Sequence, residues 1–244
     1  MPSHCHLDVR AAEAGGPDGG LPTAHPPPYW ARWGILPAPG PGLHHTHRTA
    51  RAALPLVGRM EDEPDRSLVE QCVGSAHGDL EKVRVLVERH PELVDARAPW
   101  NETPIEAATQ MGRRDIIEYL LGRGAPMGFL TACVLGREDL VRAALARDGG
   151  RARTPGVHGL PSLYFAAVGG QPAVAGLLLE HGAEVNGPPG SATPLHGAVL
   201  GRSAAMVRWL RDQGADPSVA DSQGRSARQL AEAMGEPELA ALLP

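Results

Sequence analysis

The sequence predicts an all-α solenoid of about six stacked helix-turn-helix units, and three observations carry that prediction. Glycine-type turns recur at Gly78, Gly112, Gly136, Gly170, Arg202 (in the glycine slot) and Gly235, with spacings of 34, 24, 34, 32 and 33 residues. Between them, from about Val69 to Leu243, a short small-residue stretch alternates with a Leu/Val-rich stretch of helical period. One such pair cannot bury its apolar face alone, so the repeat implies stacking on neighbours. Finally, only nine of the 244 residues are aromatic, so the core must be Leu, Val, Ile and Ala packed in thin layers.

The units follow in order. The first reads Ser67-Leu68-Val69-Glu70 and lacks a Thr-Pro start, as expected of a terminal repeat with one side in water. In the second, Thr103 caps a helix and Pro104 takes its first position, where the missing N–H costs nothing. Ala107 and Ala108 are small enough to let neighbouring first helices approach closely. Ile116, Ile117, Leu120 and Leu121 place the second helix's apolar stripe at helical spacing, and Gly124 supplies a left-handed C-cap. In the third unit Cys133 takes a slot where the fourth has Ala167. The fourth reads Leu163, Ala166-Ala167, Val174, Leu178-Leu179 and Gly182-Ala183, and its Phe165 ring is predicted between first helices. The fifth has Thr193-Pro194-Leu195-His196-Gly197-Ala198-Val199, then Ala205-Met206-Val207, Leu210 and Gly214-Ala215-Asp216. The sixth ends on Leu239, Leu242, Leu243 and Pro244. Pro172 and Pro237 define the starts of second helices, where a first-turn proline is tolerated. Tyr119 and Trp209, beside the leucine stripes, are predicted to be partly buried packing residues.

These in-register motifs, over roughly residues 65 to 244, resemble the ankyrin-repeat family, and small stand-alone bacterial ankyrin-repeat proteins in particular. The Ala/Arg/Gly-rich composition fits a high-GC genome. The resemblance implies short β-hairpin fingers between units, and a structural His196 bonded to Thr193 and nearby backbone. It also implies partner binding by the finger tips and by the last positions of the inner, first helices. The spacing of 24 between Gly112 and Gly136 departs from the family pattern. The missing nine or so residues correspond to a finger, since only Ala125 to Gly128 separates the flanking helices. One finger is therefore expected to be missing between units two and three, with the 151–160 connector belonging to the next junction and compensating nothing there.

Mapped onto those slots, the inner-helix pairs are Gln110 and Met111, Val134 and Leu135, Val168 and Gly169, Leu200 and Gly201, and Ala233 and Met234. Finger slots hold Pro99, Trp100 and Glu102, then Val157, His158 and Leu160, and later Ser222, Gln223 and Arg225. The candidate partner-binding residues are Trp100, Glu102, Gln110, Met111, Val134, Leu135, His158, Leu160, Val168, Leu200 and Arg225. Met111, Leu135, Val168 and Leu200 would form an apolar ladder across four repeats, flanked by Trp100, and exposed apolar strips and tryptophans mark interaction sites. The alternative is that the ladder packs on itself or on adjacent fingers and that Trp100 folds back onto the first repeat.

Net charge is −5, divided as +2 over residues 1–59 (five Arg, three acids) and −7 from Met60 onward (18 Lys/Arg, 25 Asp/Glu). That balance argues against nucleic acid, which needs clustered Lys and Arg. Cys5, Cys72 and Cys133 have no paired or metal-type spacing, which fits a reducing compartment. There is no apolar stretch of roughly 20 residues and no basic segment followed by an apolar run at the N-terminus. A cytoplasmic monomer away from the membrane is expected. His77, His90, His158, His181 and His196 lie in different repeats, without a carboxylate or nucleophile at triad or metal spacing. The glycine-rich run at residues 15–20 lacks the lysine of a phosphate loop, and Asn101-Glu102-Thr103 reads as a turn into a helix cap. No catalytic site, cofactor or metal centre is expected in the repeats.

Residues 1–59 hold ten prolines, eight glycines and no lysine, and are expected to be a disordered tail preceding a repeat domain at 60–244. His4, Cys5, His6, His25, His44, His45 and His47 offer a metal-handling alternative, opposed by the absence of a fold to hold the ligands. A further reading starts the biological chain at Met60, where acidic, helix-compatible sequence begins with Glu61-Asp62-Glu63. The functional expectation is a non-catalytic protein–protein interaction module, an adaptor or regulator, binding a protein on its concave face.

Overall fold

A computed structural model describes residues 64–244. The expectations for the tail, its histidines and a start at Met60 lie outside the described residues. Among the described residues twelve α-helices form six consecutive pairs: α1 (Arg66–Ala76) and α2 (Leu80–Arg89), α3 (Pro104–Gln110) and α4 (Arg114–Gly122), α5 (Phe129–Leu135) and α6 (Glu138–Arg147), α7 (Ser162–Val168) and α8 (Pro172–Glu180), α9 (Pro194–Leu200) and α10 (Ala204–Asp212), α11 (Ala227–Ala233) and α12 (Pro237–Ala241). Each first helix packs on the next, α1 on α3 through to α9 on α11, and one apolar core runs along the stack. This is the all-α repeat solenoid that the sequence predicts. No helix among the described residues is long and apolar enough to cross a membrane.

Local chemistry explains where the helices start and stop. Thr103, Thr193 and Ser226 cap α3, α9 and α11 in capping boxes closed by Glu106, His196 and Gln229. Pro172 and Pro237 open α8 and α12. Four of the six turns between paired helices place a left-handed glycine, Gly112, Gly136, Gly170 and Gly235, at φ +64, +71, +66 and +72. Arg202 adopts the same conformation at φ +53, and its guanidinium is held 3.0 Å from Glu236. In these five turns the glycine slot is a backbone requirement, whereas the turn at Gly78 contains no left-handed residue.

A second use of glycine brings first helices into contact. A Cβ on Gly169 would run into the Val134 carbonyl, and one on Gly201 into the Val168 carbonyl. Helices α5, α7 and α9 thus meet almost backbone to backbone.

The fingers are turns, and among the described residues they contain no strand. The expected β-hairpins are corrected to five-residue loops. In finger 1 (98–102), Ala98 N–H donates to Glu102 O at 2.9 Å and Asn101 N–H to Ala98 O at 2.8 Å. Finger 3 (156–160) repeats this with Gly156, Gly159 and Leu160, and finger 5 (221–225) with Asp221, Gly224 and Arg225. One narrow pair of backbone bonds is too short for a ladder. Finger 4 (188–192) starts on Pro188, which has no N–H, and keeps only the 3.4 Å bond from Ser191 to Pro188 O. Between α4 and α5 only residues 123–128 intervene, so finger 2 is absent, as the spacing of 24 implies.

Candidate functional site

The apolar ladder is not an exposed strip. Leu135 and Val168 are buried at 7% and 4% exposure, and Val134 at 1%, while Met111 and Leu200 are half-buried. Gly169 and Gly201 are the reason, because without side chains there the next helix covers Val134, Leu135 and Val168. Leu160 is corrected as well: it closes finger 3 with its side chain in the core. Arg225 is half-buried and structural. Its guanidinium lies 2.9 Å from Asp221, and its carbonyl accepts from His196 Nε2 at 2.9 Å. His196 Nδ1 in turn accepts from Thr193 N–H at 3.2 Å, so this imidazole is a buried brace and burial holds its pKa down.

Four predicted residues do converge, and they converge where finger 2 is missing. Trp100 stands on finger 1, 36% exposed, and donates its indole N–H to Glu102 Oε2 at 2.7 Å. The Glu102 side chain is only 1% exposed, because finger 1 turns it under Trp100 toward α3, where Gln110 Nε2 donates to Oε1. From the C-cap of α1, His77 Nε2 faces the same oxygen at 3.6 Å, and from finger 3 His158 Nε2 faces Oε2 at 3.7 Å. One carboxylate therefore joins fingers 1 and 3 with the first two units.

This overturns the expectation that the 151–160 connector leaves the gap alone. Finger 3 leans into it: Val157 lines a cleft of about 180 Å³ together with Glu106, Thr109, Gln110, Leu130 and Phe165. Gly156 permits the approach, since a Cβ there would sit 2.8 Å from Phe165 and collide with Leu130. Beneath, Tyr164 Oη donates to Gln110 O at 3.2 Å, and α3 touches α7 directly. The Phe165 ring is buried and stands edge-on to Tyr164, with centroids 5.5 Å apart.

Sequence reasoning missed His77. Its Nδ1 lies 3.1 Å from the Val73 carbonyl and therefore carries the proton. The opposite nitrogen, Nε2, is fully buried without a hydrogen-bond partner. Burial pushes this imidazole's pKa down against the raising effect of Glu102. The only signal in the sequence was a histidine immediately before Gly78.

Exposed apolar side chains flank the same gap. Met127, in the shortened connection, is 39% exposed, next along the chain to the units that carry Trp100. Val85 and Leu140 are exposed on second helices, away from the finger row. Tyr119 and Trp209 are partly buried against the core as expected, with Arg84 and Arg123 lying 5.5 and 5.2 Å from the Tyr119 ring centroid.

Comparison with known proteins agrees with this architecture. Residues 178–231 match the family described as ankyrin repeats in many copies. The chain is 30% identical over 131 residues to BCL-6 corepressor-like protein 1 of Homo sapiens, covering 53% of this chain and 7% of that protein. It is 40% identical over 93 residues to zygote-specific protein 3 of Chlamydomonas reinhardtii, covering 38% of this chain and 25% of that protein. The chain thus spans a quarter or less of the length of these curated relatives.

Proposed function

We propose that this chain, whose residues 178–231 match ankyrin repeats, is a non-catalytic adaptor or regulator, since such repeats generally mediate protein–protein interaction. Its partner protein docks on the finger side of units one to four. The observation that carries this reading is Trp100. A large ring stands on the surface while its N–H is fixed to a buried carboxylate, so the apolar face is presented with little freedom left to lose. Met127 and the half-buried Met111 extend the surface, and Met side chains adapt to a partner's contour. The reading includes a cytoplasmic monomer, and the buried, unpaired thiols of Cys72 and Cys133 fit the reducing setting it implies.

Affinity capture from native lysate, with crosslinking and mass spectrometry, tests the site. Trp100→Ala and Met127→Ser should each lose the recovered partner, and Val85→Ser and Leu140→Ser should keep it. Trp100→Ala should cost about 2–3 kcal/mol of stability, because it takes one donor from a buried carboxylate, so recovery is compared at a temperature where every variant is folded. Equal recovery with all four variants would refute the assignment of this face.

A further inference from the structure

The Glu102 carboxylate is buried with too little positive charge around it. Among the described residues its side chain has four partners: Gln110, Trp100, His77 and His158. The first two are neutral donors. His77 commits its Nδ1–H to Val73 O, so its neutral form turns a bare lone pair toward Oε1. A lone pair 3.6 Å from a buried carboxylate adds repulsion. The remaining group is His158, whose Nε2 lies 3.7 Å from Oε2, too far for a hydrogen bond between neutral groups and within range of a charge pair.

Two features of His158 single it out. Its side chain is 23% exposed, so its ring exchanges protons with solvent, whereas His77 is sealed. Its backbone is left-handed at φ +59, a conformation that costs a side-chain-bearing residue energy and is kept where surrounding contacts hold it. Moreover, Oε2 is also the oxygen that holds the Trp100 indole N–H. Charge on His158 and the seating of Trp100 therefore act on one atom.

We propose that Glu102 and His158 form a proton-controlled clasp, which ties finger 3 to finger 1 across the missing finger and sets the pose of Trp100. The clasp is closed when the His158 imidazole is charged and relaxes when it is neutral. It regulates partner docking and in that respect rests on the reading of Trp100 given above. The ionisable groups facing it are few. His77 comes from the C-cap of α1. On α3 the Glu106 carboxylate is engaged elsewhere, by Thr103 N–H at 2.8 Å and Arg97 at 3.1 Å. From α7 the Tyr164 hydroxyl is spent on Gln110 O. Arg113, from the turn after α3, donates to Gly78 O behind His77.

The test follows the Trp100 indole N–H of the full chain by ¹H–¹⁵N NMR, identified by its loss in Trp100→Phe. As the pH is lowered the resonance should move through a single step, and at a fixed acidic pH its solvent exchange should be slower than in His158→Gln. The step should vanish in His158→Gln and in the near-isosteric Glu102→Gln. A resonance that does not titrate, or a step that survives His158→Gln, overturns the clasp. His158 is peripheral enough for that arm to stand alone if Glu102→Gln fails to fold. None of these outcomes needs a partner: a step that is present while Trp100→Ala leaves capture unchanged would keep the clasp and reject only the docking face.

Discussion

Two glycines seven residues apart should respond to the same substitution with opposite signs. Gly169 follows α7 at φ −76, so alanine meets no backbone penalty there. Its Cβ, however, would lie 2.8 Å from the Val134 Cα and carbonyl carbon and closer still to the carbonyl oxygen. Comfortable carbon contacts begin at about 3.5 Å, so α5 and α7 must part by roughly 1 Å. Overpacking of that kind costs about 1–3 kcal/mol. Gly176 lies inside α8 with no neighbour within 4 Å of an added Cβ. Alanine there restricts the unfolded chain and stabilises by about 0.4–1 kcal/mol. The two variants should differ by about 1.5–4 kcal/mol. With a urea slope of about 2 kcal/mol/M, their unfolding midpoints should stand on the order of 1 M apart, one on either side of the parent. A midpoint for Gly169→Ala at or above the parent would refute backbone-to-backbone packing of the inner helices. One for Gly176→Ala below the parent would refute the open environment assigned to α8.

Acid should destabilise the fold through its sealed histidines. Burial lowers the pKa of both His77 and His196, so the unfolded chain takes up protons first. Their contribution is complete above the ordinary histidine value of about 6.5 and declines as pH falls from there toward the lowered folded values. The urea midpoint should drop between pH 7.5 and 5.5, with a shallower drop in His196→Asn; an equal drop in that variant would remove His196 from the account. The thiols give a second check. Burial pushes Cys72 and Cys133 up to about 12, so neither is a thiolate at neutral pH. In Cys5→Ser, a colorimetric thiol reagent should react only as fast as the chain unfolds, and a fast native phase would contradict their burial.

The period, the caps and the missing finger were legible because each is written in a few adjacent residues. Thr103-Pro104 and Thr193-Pro194 encode helix starts locally, and Arg202 could be placed in a glycine slot because its flanking helices keep register. Exposure of the ladder was not legible in the same way, since burial of Leu135 and Val168 is decided by what the next unit puts against them. The clue lies one residue away: Gly169 and Gly201 occupy the slots that the repeat pattern assigns to the binding surface. The clasp left still less trace. Glu102 and His158 lie 56 positions apart, and neither is in a motif that announces its partner. Finger strands failed for a simpler reason, because a five-residue loop closed by one pair of backbone bonds has no room for them.

Loss of a finger changes the mechanics of a solenoid more than its length. In a regular stack each unit touches only its neighbours, and stability is close to a sum of unit and interface terms. Here the shortened third unit lets the fourth reach past it. Tyr164 bonds the Gln110 carbonyl, Val157 faces Thr109 and Gln110 across the cleft, and His158 approaches Glu102. Units two and four are thereby coupled directly, with Thr109 and Thr131 Oγ1 atoms 3.0 Å apart joining α3 to α5 beneath them. An open gap would have given units one to two and four to six freedom to flex about unit three. Bridging it makes units one to four a single mechanical block, and the exposed Trp100 sits on that block, anchored to the carboxylate on which the bridge closes. The irregular spacing and the surface that best fits a partner are thus two consequences of one shortened connection.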